Sequence, residues 1–202
     1  SSGLYDINGE NSGQAAVIFG GEDGFGEIVN DQAVIDLASL LPEDGFLITG
    51  EGENDFLNAV SSVGDFNGDG IDDVLLGAAG SSLSSPGEGA SYLIFGSEGE
   101  FGETDTSGRQ VLNLANLTVD AGIVFVSGSG EPGSFGGAES STAAGDINGD
   151  GLSDLVFGDQ SFSDSGSAFV VYGTEDVIGE IGEDGRQIVT VSTLTPDQGF
   201  TI

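Results

Sequence analysis

The 202-residue sequence predicts an all-β fold of repeated four-stranded antiparallel sheets, and three observations carry that prediction. Short apolar runs recur at steps of 76 to 77 residues. Glycine, at 37 of 202 residues against a usual share of about 7%, punctuates those runs as turns do. One loop occurs twice, as Gly-Asp-Phe-Asn-Gly-Asp-Gly-Ile-Asp-Asp at 64–73 and Gly-Asp-Ile-Asn-Gly-Asp-Gly-Leu-Ser-Asp at 145–154.

The repeat sets out the elements in order. Ala15-Ala16-Val17-Ile18-Phe19-Gly20 returns as Ser91-Tyr92-Leu93-Ile94-Phe95-Gly96 and as Ala168-Phe169-Val170-Val171-Tyr172-Gly173. Phe25-Gly26-Glu27, Phe101-Gly102-Glu103 and Ile178-Gly179-Glu180 follow at the same step. Ile35, Leu37 and Leu40 correspond to Leu112, Leu114 and Leu117, then to Val189, Val191 and Leu194, and this spacing fits either a short strand or one helical turn. Gly45-Phe46-Leu47-Ile48 corresponds to Gly122-Ile123-Val124-Phe125 and to Gly199-Phe200-Thr201-Ile202. The duplicated loops lie 81 residues apart, which places a small insertion near 128–137. Residues 59–64 and 140–145 lead into the loops, and Val74-Leu75-Leu76 and Leu155-Val156-Phe157 lead out. Those two runs, with the Phe-Gly runs and the Gly-Phe runs, make four strands per unit. A four-stranded antiparallel sheet repeated along a chain is the sequence signature of a propeller blade, whose faces are buried only by its neighbours. The expected organisation is an outer half-blade over 1–58, a blade over 59–139 and a blade over 140–202, about 2.5 blades in all.

The loops carry the chemistry. Asp65, Asn67, Asp69 and Asp73 place oxygen donors at positions one, three, five and nine, and Asp146, Asn148, Asp150 and Asp154 do so again. Ca²⁺ takes six to eight oxygens in a forgiving geometry, so alternating side chains on a curled loop suit it; Mg²⁺ demands a stricter octahedron. The Ile71 and Leu152 carbonyls are expected to complete two Ca²⁺ sites, and Gly70 and Gly151 to permit the sharp turn. Three carboxylates against one Ca²⁺ leave a local charge of about −1. An EF-hand needs Glu at position twelve and flanking helices; here that position is Leu76 or Phe157, and the flanks are rich in β-formers. Asp, Asn and Gly also favour plain turns, but two copies at full ligand spacing favour the metal.

Residues 64–78 resemble an FG-GAP repeat, the unit of the integrin α-subunit propeller and of many bacterial surface proteins. Gly77-Ala78-Ala79 keeps part of that family's Gly-Ala-Pro element, Gly158-Asp159-Gln160 loses it, Phe135-Gly136 fits the Phe-Gly element and Phe56-Leu57 departs from it. The resemblance implies a β-propeller, normally a ring of seven blades, a Ca²⁺ loop between the first two strands of each blade, and an extracellular adhesive or structural setting. Asp6, Asn8 and Glu10 sit in a run resembling the loop after Gly-Ala, but no position-nine donor follows, so an ordinary turn is expected.

Composition narrows the partners. Thirty-five acidic residues against Arg109 and Arg186 give a formal charge of −33, which argues against nucleic acid and anionic membrane surfaces. Such self-repulsion calls for cations or salt. With no Cys and no His, disulfides, thiol or imidazole catalysis and zinc sites are excluded. No apolar run approaches a membrane span, and the opening residues do not read as a signal peptide or initiator, as expected of a mature or internal segment. The acidic stretches 51–55 and 98–105 read as solvated turns, no carboxylate pair stands out as catalytic, and Phe19, Phe95, Tyr172, Phe46 and Phe200 read as core. Asn116-Leu117-Thr118 is a sequon whose Leu117 reads as core-facing. The expected function is a non-enzymatic, extracellular, Ca²⁺-stabilised structural or adhesion segment. Two or three blades leave faces and edges open, so self-association into an array or filament is expected, with neighbouring blades, a cell-surface protein or a glycan as further partners. The alternatives are the propeller portion of a larger secreted enzyme, or a carbohydrate- or protein-binding module.

Overall fold

The computed structural model describes residues 8–20, 26–132, 135–137, 140–162 and 165–202, so Tyr5, Asp6 and Phe25 lie outside the described residues. The first unit holds β1 (Gln14–Ile18), β2 (Glu27–Val29), β3 (Gln32–Val34) and β4 (Gly45–Thr49). The second holds β5 (Leu57–Gly64), β6 (Asp73–Ala78), β7 (Ala90–Ile94), β8 (Glu103–Thr104), β9 (Gln110–Asn113) and β10 (Gly122–Val126). The third holds β11 (Ser141–Gly145), β12 (Asp154–Asp159), β13 (Ser167–Val171), β14 (Glu180–Ile181), β15 (Gln187–Thr190) and β16 (Gly199–Thr201).

The chain is all-β with propeller-type blades. Strands β5, β6, β7 and β10 pair antiparallel in that order, as do β11, β12, β13 and β16. Among the described residues the first unit supplies to a blade only the outer pair β1 and β4, as its runs predict.

The remaining strands form hairpins that interlock the units. The β8–β9 hairpin of the second unit lays β9 parallel to β4 of the first, with Leu47 opposite Val111. The β14–β15 hairpin of the third lays β15 parallel to β10 of the second, with Val124 opposite Ile188. The segments left open between strand and helical turn are both in succession: β9 runs into a 3-10 turn at Leu114–Asn116, and β15 into one at Val191–Thr193. Asn113 caps the first by accepting the Ala115 N–H at 3.0 Å, and Asp36 caps the equivalent turn at Leu37–Ser39 by accepting the Ala38 N–H at 3.0 Å. The hairpins also explain the recurring Gly in the Phe-Gly-Glu runs. Gly26, Gly102 and Gly179 take φ of 65, 70 and 74°, and a Cβ there would stand 2.1, 2.1 and 2.2 Å from the carbonyls of Val34, Val111 and Ile188.

Burial follows the two-residue period of strands. In the middle blade, Leu75, Leu93, Ile123 and Phe125 face the third unit, while Leu76, Tyr92, Val124 and Val126 face the first. Both faces are therefore core, and β7 and β10 are buried at every position. Phe125 lies 4.8 Å from Phe157 of the next blade and meets Phe66 edge-on at 6.4 Å. On the other side Phe101, leading into the β8 hairpin, stacks on Phe46 of the first unit at 4.1 Å.

Two expectations need correction. Of the five recurring aromatics only Phe46 is fully buried; Phe95 and Tyr172 are half-buried, and Phe19 and Phe200 are 38% and 40% exposed. Phe19, Phe95 and Tyr172 share one repeat position just past the end of a strand, and it is partly exposed in every unit. The stretch 51–55 is not a solvated turn. Asp55 is buried, and Glu51 accepts hydrogen bonds from the Tyr92 hydroxyl at 2.8 Å and from Arg186 Nη1 at 2.6 Å. Arg186 also donates through Nε to Asp184 at 2.7 Å, and its repeat equivalent Arg109 bonds Asp105 and the Leu37 carbonyl. Both cations of the chain thus serve the interlocking hairpins.

Burial raises the Glu51 carboxyl above its ordinary value, against the opposing pull of Tyr92 and Arg186. A raised carboxyl favours the fold below its unfolded pKa and costs stability as pH rises through the folded one. With the Arg186 and Glu51 side chains 12% and 15% exposed, Arg186→Ala is expected to cost about 3 kcal/mol at pH 7. That cost should shrink as pH falls and Glu51 takes up its proton, and Glu51→Gln should relieve it; urea melts at several pH values read both.

Candidate metal centre

Each duplicated loop joins the inner two strands of its blade, β5 to β6 and β11 to β12. Flanking strands exclude the EF-hand architecture, as the sequence predicts. The loops curl because their side chains bond their own backbone. In the first, Asp65 accepts the N–H groups of Gly68, Asp69 and Gly70 at 2.7, 3.1 and 2.9 Å. Asn67 Oδ1 accepts the Asp69 N–H at 3.1 Å, and Asp69 accepts the Ile71 N–H at 2.8 Å. The second loop repeats every bond: Asp146 takes Gly149, Asp150 and Gly151 at 2.7, 3.1 and 3.0 Å, Asn148 takes Asp150 at 3.0 Å, and Asp150 takes Leu152 at 2.8 Å. In both, the Asn amide donates to the position-five carboxylate, at 2.9 and 2.7 Å. Gly70 and Gly151 take φ of 85 and 96°, with open space around a would-be Cβ, so the requirement for glycine there is conformational.

Position nine is different in kind. Asp73 and Asp154 are fully buried. Asp73 accepts the Phe66 N–H at 2.9 Å and the Gly96 N–H at 2.8 Å; Asp154 accepts those of Ile147 at 2.7 Å and Gly173 at 2.9 Å. Burial raises the Asp73 carboxyl to about 6, while the two N–H donors oppose that rise. Gly96 and Gly173 are site residues that sequence reasoning missed. Their signal was present, since they end the recurring Phe-Gly and Tyr-Gly runs, but nothing in one unit's sequence tells that this glycine reaches back to the loop.

The two loops also touch. Ser153, inside the second loop, donates its N–H to the Asp65 carbonyl at 2.8 Å, and Thr174 donates to the Phe66 carbonyl at 2.8 Å. The first loop is thereby partly covered by the third unit, with Phe66 fully buried, whereas Ile147 at the same position of the second loop is 50% exposed. Asn8 serves a different role: its amide bonds Thr49, Gly50 and Asn113, and Glu10 is exposed, as in an ordinary turn.

Among the described residues, no group of three or more Asp, Glu, His or Cys side chains gathers closely enough to hold an ion as the loops stand. The donor chemistry nevertheless fits a hard cation. Asp65 Oδ2, Asn67 Oδ1 and Asp69 Oδ1 each accept a single N–H and so retain a lone pair, and the curl brings these donors at positions one, three and five onto one turn.

No curated protein matches the chain. The FG-GAP repeat family matches residues 56–94, the span from the start of the middle blade through β5, the first loop, β6 and β7. The second loop lies outside that match; there Asp159 stands where the Ala of Gly-Ala would be, buried and holding the Ser127 hydroxyl and the Ser161 and Phe162 N–H groups. Loop, flanking strands and family match agree that residues 56–94 form an FG-GAP repeat.

Proposed function

We propose that this chain is a Ca²⁺-stabilised structural or adhesive segment of an extracellular assembly, without catalytic activity, that associates with itself through its open blades into an array or filament. The observation that carries the reading is the bond-for-bond duplication of an oxygen-rich loop beside a stack of blades whose outer faces are uncovered. In each site the ion would be held by Asp65, Asn67, Asp69, the Ile71 carbonyl and Asp73, or by Asp146, Asn148, Asp150, the Leu152 carbonyl and Asp154. Bound Ca²⁺ would supply positive charge to carboxylates that otherwise repel, and would fix the turn between the inner strands. Millimolar Ca²⁺ is an extracellular condition suited to loops of this kind, and ion-rich surroundings suit a net charge of −33. Among the described residues no helix is long and apolar enough to cross a membrane.

Sedimentation velocity across a concentration series, in millimolar Ca²⁺ and about 0.5 M salt to screen the charge, tests the association. Growth in size with concentration, and elongated particles by electron microscopy, are expected. A single monomeric species at every concentration would overturn it.

A further inference from the structure

Asn-Gly is the dipeptide most prone to spontaneous deamidation, because a following glycine leaves its backbone nitrogen unhindered. That nitrogen attacks the Asn Cγ, the Cγ–Nδ2 bond breaks, and the amide leaves as ammonia with the glycine proton. Water then opens the cyclic imide to Asp or to isoAsp, which carries an extra methylene in the main chain. The sequence holds three such pairs, Asn8-Gly9, Asn67-Gly68 and Asn148-Gly149. The last two occupy positions three and four of the duplicated loops.

Burial does not protect the loop pairs. Gly68, Asn148 and Gly149 are exposed and Asn67 is half-buried, so water reaches both. What restrains the attacking nitrogen is the carboxylate at position one. Gly68 donates its N–H to Asp65 Oδ1 at 2.7 Å, and Gly149 donates to Asp146 Oδ1 at 2.7 Å. Each is the shortest of the three N–H bonds that its carboxylate accepts. Attack requires the nitrogen to shed this proton, and a neighbouring negative charge that accepts the N–H favours keeping it. The carbon under attack is restrained as well. Asn67 accepts the Asp69 N–H through Oδ1 at 3.1 Å and donates through Nδ2 to Asp69 Oδ2 at 2.9 Å. Asn148 makes the same two bonds to Asp150, at 3.0 and 2.7 Å. Turning either Cγ toward its glycine nitrogen breaks both. Asn8 is held by other means, its amide donating to Thr49, Gly50 and Asn113.

We propose that Asp65 and Asp146 guard Asn67 and Asn148 against deamidation, each by holding the N–H of the glycine that would attack. The role is separate from ion binding, since it rests on hydrogen bonds within the loop's own backbone. Its consequence is structural. An isoAsp at position three would lengthen the main chain between the oxygens at positions one and five, and the curl depends on single-residue spacing there.

Each loop serves as the control for the other. The folded chain is incubated in chelator at mildly alkaline pH, and peptide mapping by mass spectrometry follows Asp and isoAsp at the three pairs over time. Asp65→Ala is expected to speed deamidation of Asn67 about tenfold, the rate equivalent of one lost hydrogen bond to a charged acceptor, and to leave Asn148 and Asn8 at their original rates. Asp146→Ala should speed Asn148 alone, by a similar factor. In the unsubstituted chain both loop pairs should react at least about tenfold more slowly folded than in urea. An unchanged rate at Asn67 in Asp65→Ala would overturn the proposal. So would an equal rise at all three pairs, the mark of a generally loosened fold, or a folded rate as fast as that in urea. Because every measurement is made in chelator, none of these results bears on Ca²⁺ binding.

Discussion

Phe125→Ala is expected to lower stability by about 3–5 kcal/mol, the range for deleting a large buried aromatic. Phe125 is fully buried, and its ring contacts Phe66 of its own blade and Phe157 of the next. Leu75, Leu93 and Val171 belong to the same core, so little can collapse into the space left behind. For a chain of this length the loss corresponds to a fall in melting temperature of roughly 10 °C. The repeat supplies its own control. Ile202 occupies the equivalent position of the third unit and is 73% exposed, so Ile202→Ala should change stability by no more than about 0.5 kcal/mol. Equal effects of the two substitutions in thermal melts of the dilute monomer would mean that the blades do not stack as described.

Ca²⁺ is expected to have an effect of similar size. A ligand that binds only the folded state stabilises it by about 2.7 kcal/mol when free ligand is a hundred times its dissociation constant. Two sites filled to that extent give about 5 kcal/mol, or roughly 10–20 °C in melting temperature. The loops have a metal-independent role as well, and it must be separated from the metal's share. Asp65 satisfies three loop N–H groups, so Asp65→Ala should cost about 1 kcal/mol even in chelator. In saturating Ca²⁺ the same substitution should cost about 2–3 kcal/mol more, and that difference belongs to the ion. Asp146→Ala should behave alike. Its loop is the more exposed of the two, so its substitution should leave the packing between blades less disturbed than loss of Asp65, whose carbonyl receives Ser153 from the neighbouring loop.

Much of this architecture was legible in the sequence because it is periodic. Recurring Gly-Phe and Phe-Gly runs predict strands, and β1, β4, β7, β10, β13 and β16 fall on them. The alternating Asp, Asn and Asp donors with Gly at the sixth place predict the curl, which the backbone adopts twice. What the sequence did not disclose is non-local. Nothing in the β9 run Gln110–Asn113 shows that it crosses to the previous blade, because a parallel partner 64 positions away leaves no local pattern. Glu51 reads as a solvated acid because its partners, Tyr92 and Arg186, are brought to it by the fold rather than by spacing along the chain. Phe200 shares the repeat position of Phe46 yet stays partly exposed, since burial of a blade face depends on the neighbour and not on the residue.

Isothermal titration of Ca²⁺ into the metal-free chain, with and without Asp65→Ala and Asp146→Ala, tests the central claim most directly. Two Ca²⁺ per chain for the unsubstituted protein, one for each single variant and none for the double variant are expected. Absence of binding at millimolar Ca²⁺, or an unchanged stoichiometry in the double variant, would contradict it.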